Sequence, residues 1–403
     1  MSKAIGIVAE YNPFHNGHAH HLREAKRIAG NRPIIAVMSG SLVQRGLPAL
    51  TDKWTRARMA VLGGVDLILE LPTVFTCRSA EFFAAGAVKL LAATGMVSHL
   101  AFGAEAANSK QLMLTAEFLN EPVFQDALHH YLDEGHSYAK ALELTLSEDP
   151  SMLTIAGHPN NILALEYCRQ LLHGGYEIEP VVAKRRGSGY KDKTINGPIA
   201  GATAIREHYR GYGIDEALLS TVPATTAQLL READLQYRMD ISDKILNHLL
   251  LYKLRSLTPA QIAAACQCSE GLENRLAEAA SCNTFQDVVS ATVTKRYPAS
   301  RVRRLLMQLL LQQYRAMFDN AQEPAYIRVL AFNDRGRELL KEMQDSAQLP
   351  VIIKLGRNVR IIEKEQQQLS VDIAATNLLT LLQKNHQPQY NNDYTVSPIY
   401  IQK

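Results

Sequence analysis

The chain is predicted to adopt an α/β fold, because short apolar runs alternate with helical stretches over residues 1–215. The apolar runs lack a polar face, which is typical of strands covered by helices on both sides of a parallel sheet. This alternation indicates a Rossmann-like parallel sheet with right-handed crossovers. The predicted strands are Ala4–Ala9, Pro33–Met38, Val65–Glu70, His99–Phe102 and Ile178–Ala183.

Capping residues place the helices between these strands. Thr51 or Asp52 suits the start of one helix, and the glycines at 63 and 64 suit its end. Pro159 suits the first turn before a further helix. The predicted helices are Thr51–Leu62, Arg78–Leu91, Ser109–Asn120 and Ile162–Leu172.

From about residue 216 apolar residues recur at helical spacing, and strand signals then return around a helix. We therefore predict two domains, residues 1–215 and a mostly helical domain of residues 216–403 that carries a small β-α-β element. The last segment, Gln389–Lys403, has no helical period and is predicted to pack as an extended strap. The predicted elements are helices Ile245–Leu257, Pro259–Cys266, Leu272–Ala280, Phe285–Val293, Val302–Met317, Asp334–Met343 and Val371–Leu382, and strands Tyr326–Phe332 and Val351–Leu355.

Composition limits the classes of protein to which the chain can belong. A content of 47% hydrophobic and 21% charged residues is ordinary for a globular protein, and a net charge of +3 does not by itself indicate a nucleic-acid partner. No apolar run approaches the roughly 18 residues of a membrane span. The chain enters its first strand without a signal segment, and its five cysteines are not clustered like metal ligands. We expect a cytoplasmic protein with reduced thiols, no membrane partner and no obligate protein partner.

The motif Glu10–His18 follows the first predicted strand and predicts an anion site. A helix should begin at its two histidines, whose spacing places both imidazoles on one face of the first turn. The N–H groups of that turn and the helix dipole favour an anion. Gly17 lacks a side chain where a phosphate would approach the backbone. His15, Gly17 and His18 therefore suit the triphosphate of ATP and the stabilisation of departing pyrophosphate.

The two histidines also allow two other interpretations. Zinc requires at least three protein ligands, and neither His20 nor His21 supplies a convincing third. Histidines that only cap a surface helix are the second alternative. The coincidence of strand, turn, glycine and helix favours the nucleotide interpretation, and we predict no metal ligands in the protein.

Further candidate residues follow other predicted strands. Gly103 closes the fourth strand and permits close approach of adenine or ribose, whereas Asn160 and Asn161 either cap a helix or bond a base or ribose. Arg185 lies in a basic segment, Lys184–Lys193, which suits closure over a triphosphate; a solvated loop and an RNA contact are the alternatives.

Two more patterns carry candidate chemistry. Thr203 and Arg206 begin a helix and offer a hydroxyl and a cation to phosphate. Gln44-Arg45-Gly46 follows the second strand, where the arginine suits a phosphate or a carboxylate, or is simply solvated. A basic cluster without acids predicts RNA binding as strongly as it predicts a solvated helix start, and it comprises Lys295, Arg296, Arg301, Arg303 and Arg304.

These motifs together resemble a known family. His15–His18 and Thr203–Arg206 resemble the His-x-Gly-His and Ser/Thr-x-x-Arg signatures of the nucleotidyltransferase superfamily, whose fold is of the HUP type. More closely, the chain resembles the tRNA(Met) cytidine acetate ligase family. The segments that carry this resemblance are Val8–His18, Val37–Gly40, Gln44–Gly46, Pro159–Leu163, Ala202–Arg206, Lys295–Tyr297 and Arg328–Phe332.

The resemblance implies an activity and a set of contacts. The implied enzyme forms acetyl-adenylate from acetate and ATP, and transfers the acetyl group to N4 of the wobble cytidine of elongator tRNA(Met). His15, His18, Thr203 and Arg206 would be catalytic, and Mg²⁺ would accompany ATP. The implied ATP contacts are Ile7, Val8, Ala9, Glu10, Tyr11, Asn12, Pro13, Phe14, His15, Asn16, Gly17, His18, Ala19, His20, Gly103, Asn160, Asn161 and Arg185.

Two competing functions remain at this point. An adenylyltransferase would join AMP to a small phosphorylated acceptor and release pyrophosphate, but it would not need a helical domain or a basic cluster. A non-catalytic RNA-binding protein would not need intact His15, His18, Thr203 and Arg206.

Overall fold

The computed structural model describes residues 3–105, 108–147, 149, 152–153, 155, 159–184, 194–239, 241–266, 268, 271–313, 315–356, 363–384 and 389–402. Within these residues, eight strands form one sheet and two short strands form a separate hairpin. The strands are β1 (Ala4–Ala9), β2 (Ile34–Ser39), β3 (Leu42–Val43), β4 (Leu47–Pro48), β5 (Leu67–Leu71), β6 (Val97–Ala104), β7 (Glu179–Lys184), β8 (Ile327–Asn333), β9 (Val351–Ile352) and β10 (Ile399–Ile401).

Helices make up most of the remaining described chain. In the first half they are α1 (Asn16–Ala29), α2 (Lys53–Leu62), α3 (Thr73–Thr76), α4 (Ala80–Ala93), α5 (Ser109–Asn120), α6 (Pro122–Asp133), α7 (Tyr138–Thr145), α8 (Pro159–His173) and α9 (Ala202–Tyr212). In the second half they are α10 (Glu216–Ser220), α11 (Ala224–Leu235), α12 (Asp243–Arg255), α13 (Pro259–Ala265), α14 (Leu272–Glu278), α15 (Phe285–Thr292), α16 (Ala299–Leu310), α17 (Arg315–Asn320), α18 (Asp334–Ser346), α19 (Glu363–Leu382) and α20 (Asn392–Thr395).

The main sheet runs in the order β10-β8-β5-β2-β1-β6-β7, with β9 beside β8. All of its pairings are parallel except that of β5 with β8, so the predicted α/β class is confirmed. The chain moves from β1 outward to β2 and β5, and then returns to the other side of β1 for β6 and β7. The carboxyl ends of β1 and β6 therefore border the switch point at which such sheets bind ligands.

The sheet is a buried layer between two sets of helices. On one face α4 contributes Phe83, Val88 and Leu91 to a core that also holds Val37 and Leu69. On the other face α1 and α2 cover Ile7, Ala36 and Ile68. Both faces are apolar, which explains why the strands read as continuous apolar runs rather than as alternating ones.

The C-terminal strands extend the N-terminal sheet. The predicted strand Tyr326–Phe332 is observed as β8, which pairs with β5, and both β9 and β10 pair with β8. The helices from α10 to α17 therefore lie in sequence between strands of one sheet. The division into residues 1–215 and 216–403 stays a prediction.

Two of the expected elements differ from those observed. The predicted helix Val302–Met317 is two helices, α16 and α17, and Gln312 between them has a φ of 53°, which continuous helix does not allow. The predicted strap contains the short helix α20 and the strand β10, which gains its hydrogen bonds from β8. In the part of the chain that the structure describes, no helix is both long and apolar enough to cross a membrane.

Candidate active site

The two histidines of the first motif lie where β1 gives way to α1. His15 caps the helix. Its side-chain Nδ1 accepts the backbone N–H of Gly17 at 3.1 Å, and the backbone N–H of His15 donates to Nδ1 of His18 at 3.2 Å. The imidazole rings stack with their centroids 3.7 Å apart. Because each Nδ1 accepts a hydrogen bond, the proton of each neutral ring is assigned to Nε2. The predicted placement on one helical turn is observed.

Gly17 is required by the neighbouring histidine. A Cβ at this position would lie 2.8 Å from Cε1 and 3.0 Å from Nδ1 of His15, closer than side chains approach one another. The sequence suggested close approach of a phosphate as the reason for a glycine here. The nearer reason is the His15 ring, which folds back over the glycine to cap the helix.

The turn between β1 and α1 is fixed from several sides. Tyr11 has a φ of 45°, and its ring meets His18 edge-on with centroids 4.9 Å apart. The buried Oδ1 of Asn12 accepts the N–H of Leu50 at 2.7 Å. The amide of Asn16 donates to the carbonyl oxygens of residues 198 and 220 at 2.8 and 2.9 Å. These contacts hold the histidines in one orientation.

The second signature, Thr203–Arg206, meets the first at this turn. Arg206 donates from Nη1 to the carbonyl oxygen of Asn12 at 2.7 Å and from Nη2 to Oγ1 of Thr203 at 3.2 Å. Burial lowers the pKa of Arg206, the carboxylate of Glu10 opposes this, and the charges of Arg45 and Arg210 lower the pKa further. A cation and a hydroxyl thus stand beside the turn that precedes α1.

Gly103 lies near the end of β6, and Asn160 and Asn161 lie in the first turn of α8. Oδ1 of Asn161 accepts the N–H of Glu105 at 2.9 Å, and the Asn160 amide donates to the Glu105 carboxylate. Asn161 is fully buried, and its Nδ2 has no hydrogen-bond partner among the described residues. A buried donor of this kind suits a ligand acceptor. Arg185 lies outside the described residues, directly after β7.

The hairpin β3–β4 reaches the same sheet edge from the other side of β1. The N–H of Gln44 donates to Oε1 of Glu10 at 2.8 Å, and its amide donates to the carbonyl oxygen of Arg78 at 3.0 Å. The hairpin also carries Arg45 between Gln44 and Gly46. From the sequence, Arg45 suits a phosphate or a carboxylate or is simply solvated; the hydrogen bond of Gln44 to Glu10 brings the hairpin next to the end of β1.

Arg56 is a site residue that the sequence did not single out. It is completely buried on α2, and its Nη1 donates to the carbonyl oxygens of Glu10 at 2.7 Å and Ser39 at 3.1 Å. It also donates to the carbonyl oxygens of Gly40 and Thr51. Burial lowers its pKa to about 10. A single guanidinium therefore ties the carboxyl ends of β1 and β2 together.

A buried ionic cluster lies beneath these loops. Lys53 contacts both carboxylate oxygens of Glu70, at 2.7 and 2.8 Å, and Oδ1 of Asp393 at 2.7 Å. Arg328 contacts the same Asp393 oxygen at 2.7 Å. Beside them Tyr326 donates to Asp372, whose pKa burial raises to about 7. Helix α2, two strands and the C-terminal segment are thus joined through charges.

The basic cluster divides into two parts. Lys295 is exposed and Arg296 half-buried, while Arg301 lies 4.9 Å from the Tyr297 ring. Arg303 and Arg304 are half-buried on α16. Burial lowers the pKa of both, that of Arg304 to about 10, and the charge of Arg45 also lowers the pKa of Arg303. These last two arginines therefore stand near the active-site hairpin.

Within the described residues, no group of three or more His, Cys, Asp or Glu side chains is arranged to hold a metal ion. That the histidine motif holds no metal stays a prediction. The described cysteines are free thiols, and Cys266 and Cys268 lie with their sulfurs 3.2 Å apart.

Comparison with known proteins gives a consistent picture. The model of the HIGH Nucleotidyl Transferase family matches residues 2–393. The tRNA(Met) cytidine acetate ligase of Thermoanaerobacter sp. (strain X514) is 38% identical over 393 residues, covering 94% of this chain and 96% of that protein. The protein of the same name from Clostridium novyi (strain NT) is 34% identical over 406 residues, covering 98% and 99%.

Solved structures match over the whole chain. The apo crystal structure of Thermotoga maritima TmcAL superposes with a TM-score of 0.93 at 31% identity and covers 100% of both chains. The structure of the same protein bound with alpha-thio ATP superposes with a TM-score of 0.91 at 30% identity, again with full coverage of both chains.

Proposed function

The chain belongs to the tRNA(Met) cytidine acetate ligases of the HIGH Nucleotidyl Transferase family, and we propose that it acetylates N4 of the wobble cytidine of elongator tRNA(Met) with acetate and ATP. ATP is a substrate, as the nucleotide-bound Thermotoga structure supports. The observation that best supports the catalytic assignment is the hydrogen bond from Arg206 to Asn12, which brings the two signatures to one turn.

The first step is the formation of acetyl-adenylate. An acetate oxygen attacks the α-phosphorus of ATP, the bond from that phosphorus to the bridging oxygen breaks, and pyrophosphate leaves. Because the transition state is rich in charge, positioning and cations carry most of the catalysis. We assign the triphosphate to His15 and the leaving pyrophosphate to His18. Their Nε2–H groups and the N–H groups of the first turn of α1 are suitable donors.

Thr203 and Arg206 hold the phosphates from the opposite side in this proposal. The guanidinium already contacts the turn before the histidines, so it needs little movement to reach a phosphate. Gly103, Asn160 and Asn161 take the nucleoside, as the buried Nδ2 of Asn161 supports. The remaining nucleotide contacts are assigned to the backbone and side chains of residues 7–20 and to Arg185. Magnesium, where it accompanies ATP, arrives with that substrate.

The second step is acetyl transfer. The N4 amine of the cytidine attacks the carbonyl carbon of acetyl-adenylate, a C–N bond forms, and the C–O bond to AMP breaks. The amine proton is released and AMP leaves. No covalent bond to the enzyme is needed. We assign tRNA binding to the helical residues after 216, through Lys295, Arg296, Arg301, Arg303 and Arg304, and we place the reaction in the cytoplasm.

Transfer of labelled acetate into bulk tRNA, followed by nucleoside analysis, tests this function. Label on N4-acetylcytidine that disappears without ATP is the expected result. Acetate-dependent exchange of pyrophosphate into ATP, measured without tRNA, tests the first step separately. If ATP and pyrophosphate exchange without acetate once a small phosphorylated acceptor is added, the protein is an adenylyltransferase instead.

A further inference from the structure

The hairpin β3–β4 touches both the catalytic turn and helix α16. Its Gln44 holds Glu10 at the end of β1. Its Gly46 has a φ of 69° and lies against the start of α16: a Cβ there would be 2.6 Å from the carbonyl carbon of Arg303 and 2.7 Å from Cα of Arg304. The backbone at the tip of the hairpin therefore packs directly against the backbone of α16.

This contact brings cations from distant parts of the sequence to one place. Arg45 lies between Gln44 and Gly46, and Arg303 belongs to the segment that Gly46 touches. Both side chains are half-buried rather than fully solvated. The charge of Arg45 lowers the pKa of both Arg303 and Arg206. No carboxylate in the described chain forms an ion pair with Arg303.

The position of this pair relative to the nucleotide indicates its ligand. Gly103 and Asn161 lie beyond β6, on one side of β1, whereas the hairpin follows β2 on the other side. Since we assign the nucleoside to the β6 side, we assign the acceptor to the β2 side of the same sheet edge. A phosphodiester presents oxygens that two neighbouring half-buried guanidiniums can both reach.

We propose that Arg45 and Arg303 form one site for a backbone phosphate of the RNA acceptor, beside the cytidine that is acetylated. The hairpin and α16 then hold the RNA jointly, with the phosphate between them. This inference rests on the proposed function, because it identifies the acceptor as RNA. It adds the hairpin β3–β4 to the predicted RNA-binding surface, which from the sequence comprised only residues 295–304.

A double-mutant cycle on RNA binding tests the proposal. The variants are Arg45→Gln, Arg303→Gln and the double variant, with Arg231→Gln as a control that removes one exposed charge on α11. The dissociation constant for an unmodified elongator tRNA(Met) transcript is measured between low and moderate salt. Each single variant is expected to weaken binding about tenfold and to reduce the salt slope by about one phosphate contact.

The double variant decides whether the two arginines share a phosphate. A shared phosphate requires that the double variant bind about as weakly as either single variant and lose about one contact, not two. Additive losses mean two separate phosphates and overturn the proposal, as do unchanged affinities. A raised KM for ATP in Arg45→Gln with unchanged RNA affinity assigns Arg45 to the nucleotide and also overturns it.

A second variant displaces the hairpin without removing a charge. Gly46→Ala places a Cβ against the backbone of α16, whereas Gly175→Ala imposes a similar backbone strain, at a φ of 60°, with no atom within 4 Å. Only Gly46→Ala is expected to weaken RNA binding about tenfold; equal affinities overturn the joint site. Because binding is read directly, a wild-type enzyme that binds RNA without acetylating it contradicts the proposed function and leaves this test intact.

Discussion

The guanidinium of Arg206 donates to the carbonyl oxygen of Asn12 over 2.7 Å and so joins two segments that lie 194 residues apart. Asn12 is itself held by Leu50, and Arg206 by Thr203. The arginine is therefore oriented by the turn that precedes the histidines before any phosphate is bound. Such preorganisation is what lets a cation stabilise developing charge without reorganising during the reaction.

Arg206→Lys is expected to lower the rate of acetate-dependent pyrophosphate exchange by about a hundredfold, because an ammonium cannot contact both Asn12 and a phosphate as a guanidinium can. Arg210→Lys is the control, since that arginine is exposed one turn later on the same helix and pairs only with Glu207 among its described carboxylate neighbours. An unchanged rate for Arg206→Lys at saturating ATP would contradict the assigned role.

Gly17→Ala is expected to displace the His15 ring, because the new Cβ would lie 2.8 Å from Cε1. Loss of the cap should lower the free energy of unfolding by about 1 kcal/mol, and the exchange rate should fall with it. Gly211→Ala is the matched helical control: it has no neighbouring atom within 4 Å and should be neutral or slightly stabilising. Thermal unfolding and exchange kinetics of both variants check this. Equal behaviour would mean that the ring does not need the glycine.

Arg56→Lys is expected to destabilise the protein by about 3 kcal/mol, because a lysine leaves several buried carbonyl oxygens without a donor. Arg58→Lys on the same helix changes an exposed side chain and should have little effect. Denaturant unfolding measures the difference. We also expect KM for ATP to rise in Arg56→Lys, since the ends of β1 and β2 lose their common anchor. Equal denaturant midpoints for Arg56→Lys and Arg58→Lys would contradict the expected loss of stability.

Asn161→Asp is expected to weaken ATP binding at least tenfold without unfolding the protein. The new carboxylate still accepts the N–H of Glu105, but it lacks the donor and carries a negative charge. Asn108→Asp makes the same change at the cap of α5, where Oδ1 accepts an N–H at 2.8 Å. Calorimetric titration with ATP compares the two variants. Wild-type affinity in Asn161→Asp would remove this residue from the nucleotide site.

Asp372 gives stability a dependence on pH. Burial raises its pKa from 3.8 to about 7, so the folded protein binds a proton that the unfolded chain has released. Its contribution to the free energy of unfolding is therefore full below about pH 4 and decreases as the pH rises toward 7. Asp372→Asn should remove this decrease. The free energy of unfolding of the variant, compared with that of the wild-type protein at the same pH, should therefore be higher at pH 8 than at pH 5. Unfolding curves at both pH values check this; parallel pH profiles would show that Asp372 stays ionised.

The sequence predicted those parts of the site that depend on local pattern. The β1 strand ends at Ala9 as expected, and α1 begins directly after its cap His15 because strand, turn and helix signals coincide within a few residues. The resemblance also implies that Arg206 acts on the same substrate as the first motif, and Arg206 contacts Asn12 of that motif. Sequence patterns are most informative where one short segment forms both a turn and a ligand-binding site.

Other features were hidden because they depend on distant partners. Arg56 has the spacing of an ordinary helical arginine, and nothing local indicates that four carbonyl oxygens surround it. The antiparallel pairing of β8 with β5 joins residues far apart in sequence. The contact of Gly46 with α16 likewise needs two remote surfaces to meet. Contacts of this kind between distant segments do not produce a recognisable pattern in the sequence of either segment.

The closure of the ionic cluster by Asp393 has a consequence for biosynthesis. Lys53 and Arg328 each contact this carboxylate from the C-terminal segment in addition to Glu70, while β8 and β10 complete one side of the sheet. A nascent chain that has exposed only the histidine motif and the first strands therefore has Glu70 but lacks the second carboxylate that contacts Lys53. We therefore expect the buried ionic cluster to close only after residue 393 has left the ribosome.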